Sequence, residues 1–477
     1  MVTKVAERRV AGIELPVLDR EFINESFERV TGAELIHGND VQLLVDACAN
    51  YPAWLDAIES AETHIFFESY IMHGDEQGSM FAEALVKKAK EGVKVNVIYD
   101  WLGGFRKTPG RFWRHLQENG IEVRCYNPPN LNDPLGFFTR DHRKTIVVDS
   151  RVAFVSGLCV GQDWVGYPAK DIPPWRDTGV KLTGPAVAEV EAAFADIWAT
   201  MGDPIDKTTW VRKEKISTTG TTSLRVVSSL PGTAHVYRLD QLLAVAARES
   251  MWLTDAYFVG IPSYLQNLKD SARDGVDVRI LVPQGTDIGV IRDTTRSTYR
   301  PLLEAGVRVF EWNGPMMHAK TAVFDGRFSR VGSTNLNIAS WFGNYELDVL
   351  VEDEEFGLKM QEMFLSDIAN ATEIVLDGQP TVQPRANRRF RRRSGGSMRK
   401  ATAGALNAAT SIGSALTKKS PLGPAEARLL FMAGMALFTW AILLVFFPRG
   451  ASTPLVILLL VLAIPTIARA IQSYRDH

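Results

Sequence analysis

The chain has 477 residues, 46% of them hydrophobic, with 53 Lys/Arg against 55 Asp/Glu. That length suggests two or three folding units, and the composition excludes a collagen-like, disulfide-scaffolded or wholly disordered chain. The net charge of −2 averages two unlike parts: residues 385–477 hold 14 basic and 2 acidic residues, net +12, while residues 1–384 carry net −14. An acidic body argues against general nucleic-acid binding, which needs lysine and arginine to displace counterions.

Lys4, Arg8 and Arg9 are followed by no apolar run, so no signal peptide is expected. Cys48, Cys125 and Cys159 are too widely spaced for a disulfide framework or a CxxC metal site. A reducing cytoplasm is therefore the expected compartment of the body.

Residues 1–380 contain a duplication at a separation of about 180 residues. Phe66-Phe67-Glu68-Ser69-Tyr70 is set against Leu253-Thr254-Asp255-Ala256-Tyr257, and Ala89–Val95 against Ala272–Val278. Gly120-Ile121-Glu122-Val123 is set against Gly306-Val307-Arg308-Val309. Each copy reads as apolar strand, helix ending at a glycine, second strand, which is the rhythm of an α/β domain. The expected organisation is a first lobe over 1–202, a polar connector over 203–222 and a second lobe over 223–380.

The chemistry recurs at matching places. His142-Arg143-Lys144 with Asp149, and His318-Ala319-Lys320 with Asp325, both read H-x-K-x4-D, and the apolar run after each lysine reads as a buried strand. On a strand, His and Lys at i and i+2 point to one side, placing an imidazole beside an ammonium. Fourteen residues after each histidine begins a small-residue turn, Ser156-Gly157-Leu158-Cys159 and Gly332-Ser333-Thr334-Asn335, able to bring backbone N–H groups near an anion. No GxSxG elbow is present, and the repeated offset supplies a lysine, a phosphate partner, where a metal site would need a ligand. Neither a metal nor another cofactor is called for.

Beyond the body, residues 381–428 form a basic linker with a cluster at Arg385, Arg388, Arg389, Arg391, Arg392 and Arg393. Residues 429–447 carry no charge over 19 positions, about 28 Å as a helix at roughly 1.5 Å per residue, close to the ~30 Å hydrocarbon core. Pro448-Arg449-Gly450 supplies a turn before a second uncharged stretch, 451–468. Two transmembrane helices over 429–471 are expected. The basic residues before the first span, against Arg449 alone between the two, put both ends of the hairpin and the body on the cytoplasmic side. The arginine cluster is a candidate contact for anionic headgroups.

The duplicated motif with its downstream G-S-x-N resembles the phospholipase D superfamily, and more narrowly the bacterial cardiolipin synthases. The resemblance covers about residues 35–375. It is carried by Asp141-His142-Arg143-Lys144, Trp175-Arg176-Asp177-Thr178, the run from Leu303 to Asn335, and Asn344-Tyr345-Glu346. It implies two pseudo-symmetric α/β lobes sharing one active site, here with a C-terminal transmembrane helical hairpin. It implies a phosphohistidine intermediate, with His142 as nucleophile and His318 as general acid and then base, although the pseudo-symmetry leaves the reverse open. Lys144, Lys320, Gly157, Ser333 and Asn335 would hold the phosphoryl group, with Asp177 and Glu346 orienting the histidines. Asp149 and Asp325 complete the motifs and belong to the candidate catalytic set, although bracing of the strand ends suits them better. The implied substrates are phospholipids, phosphatidylglycerol first, giving cardiolipin and glycerol. A phospholipase D hydrolase and transfer to another alcohol stay open; a nucleic-acid phosphodiesterase is disfavoured by the acidic body. Two features depart from the family: the C-terminal hairpin, and Cys159 and Ser156 where Asn and Gly are usual.

Overall fold

The computed structural model describes residues 17–129, 139–206, 210–211 and 213–376. The basic linker and both expected membrane spans lie outside the described residues. Among the described residues no helix is long and apolar enough to cross a membrane.

The first lobe contributes β1 (Ile36–Val45), β2 (His64–Ser69), β3 (Lys94–Asp100), β4 (Glu122–Tyr126), β5 (Lys144–Val148), β6 (Val152–Ser156) and β7 (Thr178–Thr183). The second contributes β8 (Thr222–Ser229), β9 (Ser250–Thr254), β10 (Asp277–Pro283), β11 (Arg308–Trp312), β12 (Thr321–Phe324), β13 (Phe328–Gly332) and β14 (Glu346–Glu352), followed by β15 (Ala371–Ile374). The sheet order is β15-β11-β10-β9-β12-β13-β14-β8-β1-β7-β6-β5-β2-β3-β4. Apart from β15, this order is a palindrome about the β8/β1 junction. The duplication is thus a duplication of topology, β1 to β7 answering β8 to β14.

The repeated glycines have a physical reason. Gly92 and Gly275 follow the helices Glu76–Lys90 and Pro262–Arg273, and both hold positive φ, +94° and +99°. Each ends its helix and turns the chain into β3 or β10, a conformation that costs a side-chain-bearing residue more.

One detail of the repeat reads differently in three dimensions. Ile65 pairs with Val148 and Met251 with Phe324, so the counterpart of Leu253 is Phe67, not Phe66. The alignment of the two tyrosines had slid the strand by one residue, the error that a run apolar on both faces cannot flag. Phe66 faces the shared core while Ile65 and Phe67 face the first lobe's own.

Three cores result. One belongs to the first lobe and one almost wholly to the second. The third joins them: Val155, Val180 and Phe194 of the first lobe pack in one cluster with Val331, Leu347 and Phe364 of the second. Two helices border it. Val187–Ala199 buries Val187, Val190, Phe194 and Ile197, and Glu354–Ala369 buries Phe356, Met360 and Phe364, both at helical spacing. The lobes are therefore fused along an apolar seam that fixes their motifs relative to each other.

Candidate active site

Both histidines sit just before the central strand of their lobe, at the carboxyl ends of β2 and β9. Neither is held by its own lobe alone. The backbone N–H of His142 donates to the Tyr345 carbonyl at 3.0 Å, and that of His318 to the Arg176 carbonyl at 2.7 Å. Short parallel bridges, Asp141 with Tyr345 and Arg176 with Met317, stitch the lobes at these two points.

The side chains cross in the same way. His142 Nδ1 lies 2.9 Å from Glu346 Oε2, and His318 Nδ1 lies 2.6 Å from Asp177 Oδ2. Each histidine thus takes its carboxylate from the opposite repeat. Ionised carboxylates accept, so Nδ1 carries the proton in each ring and Nε2 is left with its lone pair. Lys320 Nζ also lies 2.9 Å from His318 Nδ1. An Nδ1–H given to Asp177 cannot also accept from an ammonium, so the partner that satisfies Lys320 is the His318 carbonyl, which it also reaches. Lys144 makes the matching bond to the His142 carbonyl.

The electrostatics follow from burial. Burial and then the Lys320 charge hold His318 down to about 4, against the pull of Asp177. His142 is lowered as well, by burial first, with Glu346 opposing and both lysines adding to the effect. Both rings are therefore neutral at pH 7 in the free protein. The Asp177 carboxyl is held at about 2, since burial, which would raise it, is outweighed by His318, Lys320 and hydrogen bonds. Glu346 is likewise lowered against burial, by His142, Lys144 and Ser333. Burial brings Lys320 down to about 8. Each lysine acts on both histidines, so the two halves share one field.

The small-residue turns serve the carboxylates. Ser333 Oγ donates to Glu346 Oε2 at 2.5 Å. Its counterpart Gly157 has no side chain to offer, and Asp177 Oδ1 occupies the space: a Cβ on Gly157 would lie 2.2 Å from it. The donor to Asp177 is instead Trp164 Nε1, at 3.0 Å. Asn335 is buried with its side-chain oxygen unpartnered, and Cys159, in the corresponding place, is a buried thiol that burial pushes up.

Asp149 and Asp325 are not brought to the histidines. Asp149 caps the turn before β2, accepting from the backbone N–H of Glu62, Thr63 and His64 and from the Thr63 hydroxyl. Asp325 does the same before β9, accepting from Arg248, Glu249 and Ser250. At about 3.3 Å per residue, a strand of this length puts each aspartate roughly 20 Å from its histidine.

Other residues at the site escaped the motif reading. Tyr70 lies 4.9 Å from the His142 ring, and Tyr257 lies 6.0 Å from that of His318; both had been quoted only as repeat markers. Trp164 and Trp175 pack on His318 at 5.5 and 5.6 Å. Arg176 carries a hub of bonds: bidentate to Asp367 at 2.8 and 2.9 Å, and to Asp46 Oδ1 at 3.2 Å. Among the described residues no group of three His, Cys, Asp or Glu converges as a metal site would require.

The family profile described as "Cardiolipin synthase, PLD-like domain" matches residues 54–161 and 241–368, one copy in each lobe. A cardiolipin synthase of Listeria monocytogenes serotype 4a (strain HCC23) is 32% identical over 354 residues, 72% of each chain. The chain belongs to the phospholipase D-like cardiolipin synthase family. Cardiolipin synthase 1 of Bacillus anthracis, another relative, is 30% identical over 377 residues, covering 76% of this chain and 73% of its own. Among solved structures, phosphatidylserine synthase of Haemophilus influenzae Rd KW20 shares the fold at 16% identity, with a TM-score of 0.56 over 74% of this chain and 91% of that one. Both matched segments of the synthase family profile contain or adjoin a motif histidine and its lysine: His142 and Lys144 in the first, His318 and Lys320 in the second.

Proposed function

We propose that the protein is a phosphatidyltransferase that makes cardiolipin from two phosphatidylglycerol molecules and releases glycerol. The observation that carries the mechanism is the crossed pairing of each histidine with a carboxylate of the other lobe. It leaves two Nε2 atoms free for chemistry, with two lysines beside them.

In this reading His142 Nε2 attacks the phosphorus of the donor lipid, and the P–O bond to the headgroup glycerol breaks. His318 protonates the leaving alkoxide, giving glycerol and a phosphatidyl-histidine. The primary hydroxyl of a second phosphatidylglycerol then gives its proton to His318 and attacks phosphorus. The P–N bond breaks, and cardiolipin leaves with His142 restored. Lys144, Lys320 and the Ser333–Asn335 turn meet the charge that builds on the phosphoryl oxygens. His318 is neutral in the empty site, so the incoming anion matters: its charge opposes that of the lysines and favours the imidazolium the first step needs. Glu346 and Asp177 fix the tautomers.

The hairpin expected over 429–471 would hold this site beside its substrates in two dimensions, raising effective concentration without new contacts. The charge bias of the flanks places the body on the cytoplasmic face.

The test gives the purified full-length chain phosphatidylglycerol in bilayers and measures cardiolipin, glycerol and phosphatidic acid. Cardiolipin and glycerol in equal amounts are expected. Phosphatidic acid without cardiolipin would make it a hydrolase instead. His142→Ala and His318→Ala should each abolish turnover, and an alkaline denaturing quench should trap a phosphatidyl group on His142.

A further inference from the structure

Several of the large apolar side chains left in water gather at one end of the sheet, although others, such as Leu358 and Leu365, lie elsewhere. Leu102, Phe105, Ile172, Ile288, Ile338 and Phe342 are 38 to 62% exposed, and all six lie on connections, Leu102 and Phe342 in short helical turns, at the histidine end of the strands. Each is tied to the site through its immediate neighbours. Gly103 packs so closely under the Tyr70 carbonyl that a Cβ there would lie 1.9 Å from it. Ile172 pairs with Tyr167, three residues before the Trp175 ring that packs on His318. Asp287, next to Ile288, accepts from the Tyr257 hydroxyl at 2.8 Å, and Asn337, next to Ile338, donates to the Tyr257 carbonyl at 3.1 Å. Phe342 stands shortly before Tyr345, whose carbonyl holds the His142 N–H.

We propose that this ring of apolar side chains is a docking surface for the anionic phospholipid bilayer, inserted around the mouth of the active site. The inference rests on the lipid-substrate reading above. Charge supports the bilayer as occupant. Arg106, Lys107, Arg111 and Lys170 are exposed on the same loops, against Asp171 and the Tyr257-bonded Asp287, in a body that is otherwise strongly acidic. Arg106 lies over the Phe105 ring at 5.2 Å, an apolar body under a cationic head, the arrangement suited to a headgroup boundary. A second copy of the chain covering the ring would instead seal the site from lipid. An acidic body with one basic, apolar-tipped end approaches an anionic surface in one orientation, mouth first. At the far end Val245, 66% exposed, ends the helix His235–Ala246.

The experiment uses the full chain with exposed Cys48 replaced by Ser, carrying a nitroxide on a single introduced Cys at Phe105, Phe342 or Val245. In phosphatidylglycerol vesicles the first two labels should collide preferentially with oxygen dissolved in the bilayer, and the Val245 label with an aqueous nickel chelate. Equal aqueous access at all three would overturn the proposal, as would spin–spin broadening showing the labels buried against another copy. Phe105→Asp with Phe342→Asp should lower turnover of bilayer phosphatidylglycerol at least tenfold and leave that of a monomeric short-chain analogue within twofold. An equal loss on both substrates would overturn it too. Bilayer contact without formation of cardiolipin or phosphatidic acid would sink the proposed reaction and leave the docking surface standing.

Discussion

His318 is oriented by a residue 141 positions earlier in the chain: its Nδ1 lies 2.6 Å from Asp177 Oδ2, across the seam between the lobes. His142 and Glu346 repeat the relationship in the opposite direction. Neither lobe supplies both members of either motif histidine–carboxylate pair, so both pairs exist only in the fused chain.

Removing each carboxylate charge separates the roles of the two rings. Asp177→Asn takes away the anion that raises the His318 pKa, so the imidazolium becomes harder to form. The alkaline limb of the kcat profile should move to lower pH, and kcat should fall by roughly 10²–10⁴. Glu346→Gln acts on His142, where the neutral form is the reactive one, so the acid limb should move to lower pH with a comparable loss. Exchange of the two limbs between the variants would assign the nucleophile to His318.

The same depressed values set how the body responds to acid. Folded His318 takes a proton only near pH 4, whereas an unfolded histidine does so near 6.5. Below about 6.5 the unfolded chain binds the proton and the native one does not, so stability falls as pH falls. This loss continues until the folded value is reached and amounts to at most about 3 kcal/mol for His318. Asp177, at about 2 against an ordinary 3.8, is lost only below that window. Buried Asp240, raised to about 6, and Asp255, raised to about 7, act in the opposite sense, so the histidine contribution is read by difference. In urea unfolding of the detergent-solubilised chain between pH 7 and 4, the midpoint should fall relative to that of His142→Gln/His318→Gln. An unchanged slope in that variant would contradict the buried-neutral assignment.

Much of this was legible in the sequence, for identifiable reasons. The repeat and both motifs could be read because each is a local pattern recurring at a fixed offset, and Asp177 and Glu346 because the residues around them resemble the family's. Which carboxylate serves which histidine could not, since spacing along a strand carries no information about the strand across the seam. Arg176 stood in plain view beside Asp177, yet its partners Asp46 and Asp367 are distant in sequence and meet it only after both lobes have folded. Asp149 and Asp325 entered the candidate catalytic set on a constant motif position, whereas their hydrogen bonds, to backbone N–H groups and for Asp149 also to the Thr63 hydroxyl, fit the bracing of the strand ends.

Those two aspartates give a clean contrast. Asp149→Ala would leave three backbone N–H groups and a hydroxyl without their acceptor at the turn into β2. A loss of roughly 2–4 kcal/mol is expected. Because the residue is remote from the histidines, turnover per folded molecule should stay within a few-fold. Unfolding midpoint and active-site titration on the same sample decide it; intact stability with lost turnover would return Asp149 to the chemistry.

Arg176 should behave in a third way. Its guanidinium fork holds Asp367 bidentately while its carbonyl accepts from the His318 N–H. Arg176→Lys keeps the charge and loses the fork, which lysine cannot reproduce. Expected is a lowered unfolding midpoint together with about a tenfold fall in kcat at nearly constant KM, because His318 shifts while Lys144 and Lys320, proposed to hold the phosphate, do not. A rise in KM alone would place Arg176 in substrate binding.

The narrowest test is at Gly157. An added Cβ would sit 2.2 Å from Asp177 Oδ1 and 3.2 Å from its Cγ, and the carboxylate has no free side to move to, being held by Trp164 and the Thr178 N–H. Gly157→Ala should cost roughly a hundredfold in kcat, in line with loss of a positioned acid. Gly110→Ala, where a Cβ meets nothing within 4 Å, should be neutral. If the methyl acts through the carboxylate, its effect cannot add to the carboxylate's own removal. Gly157→Ala/Asp177→Asn should then turn over no more slowly than Asp177→Asn alone. Additive losses would mean that the glycine serves the phosphate directly, by letting its backbone approach, and not by making room for Asp177.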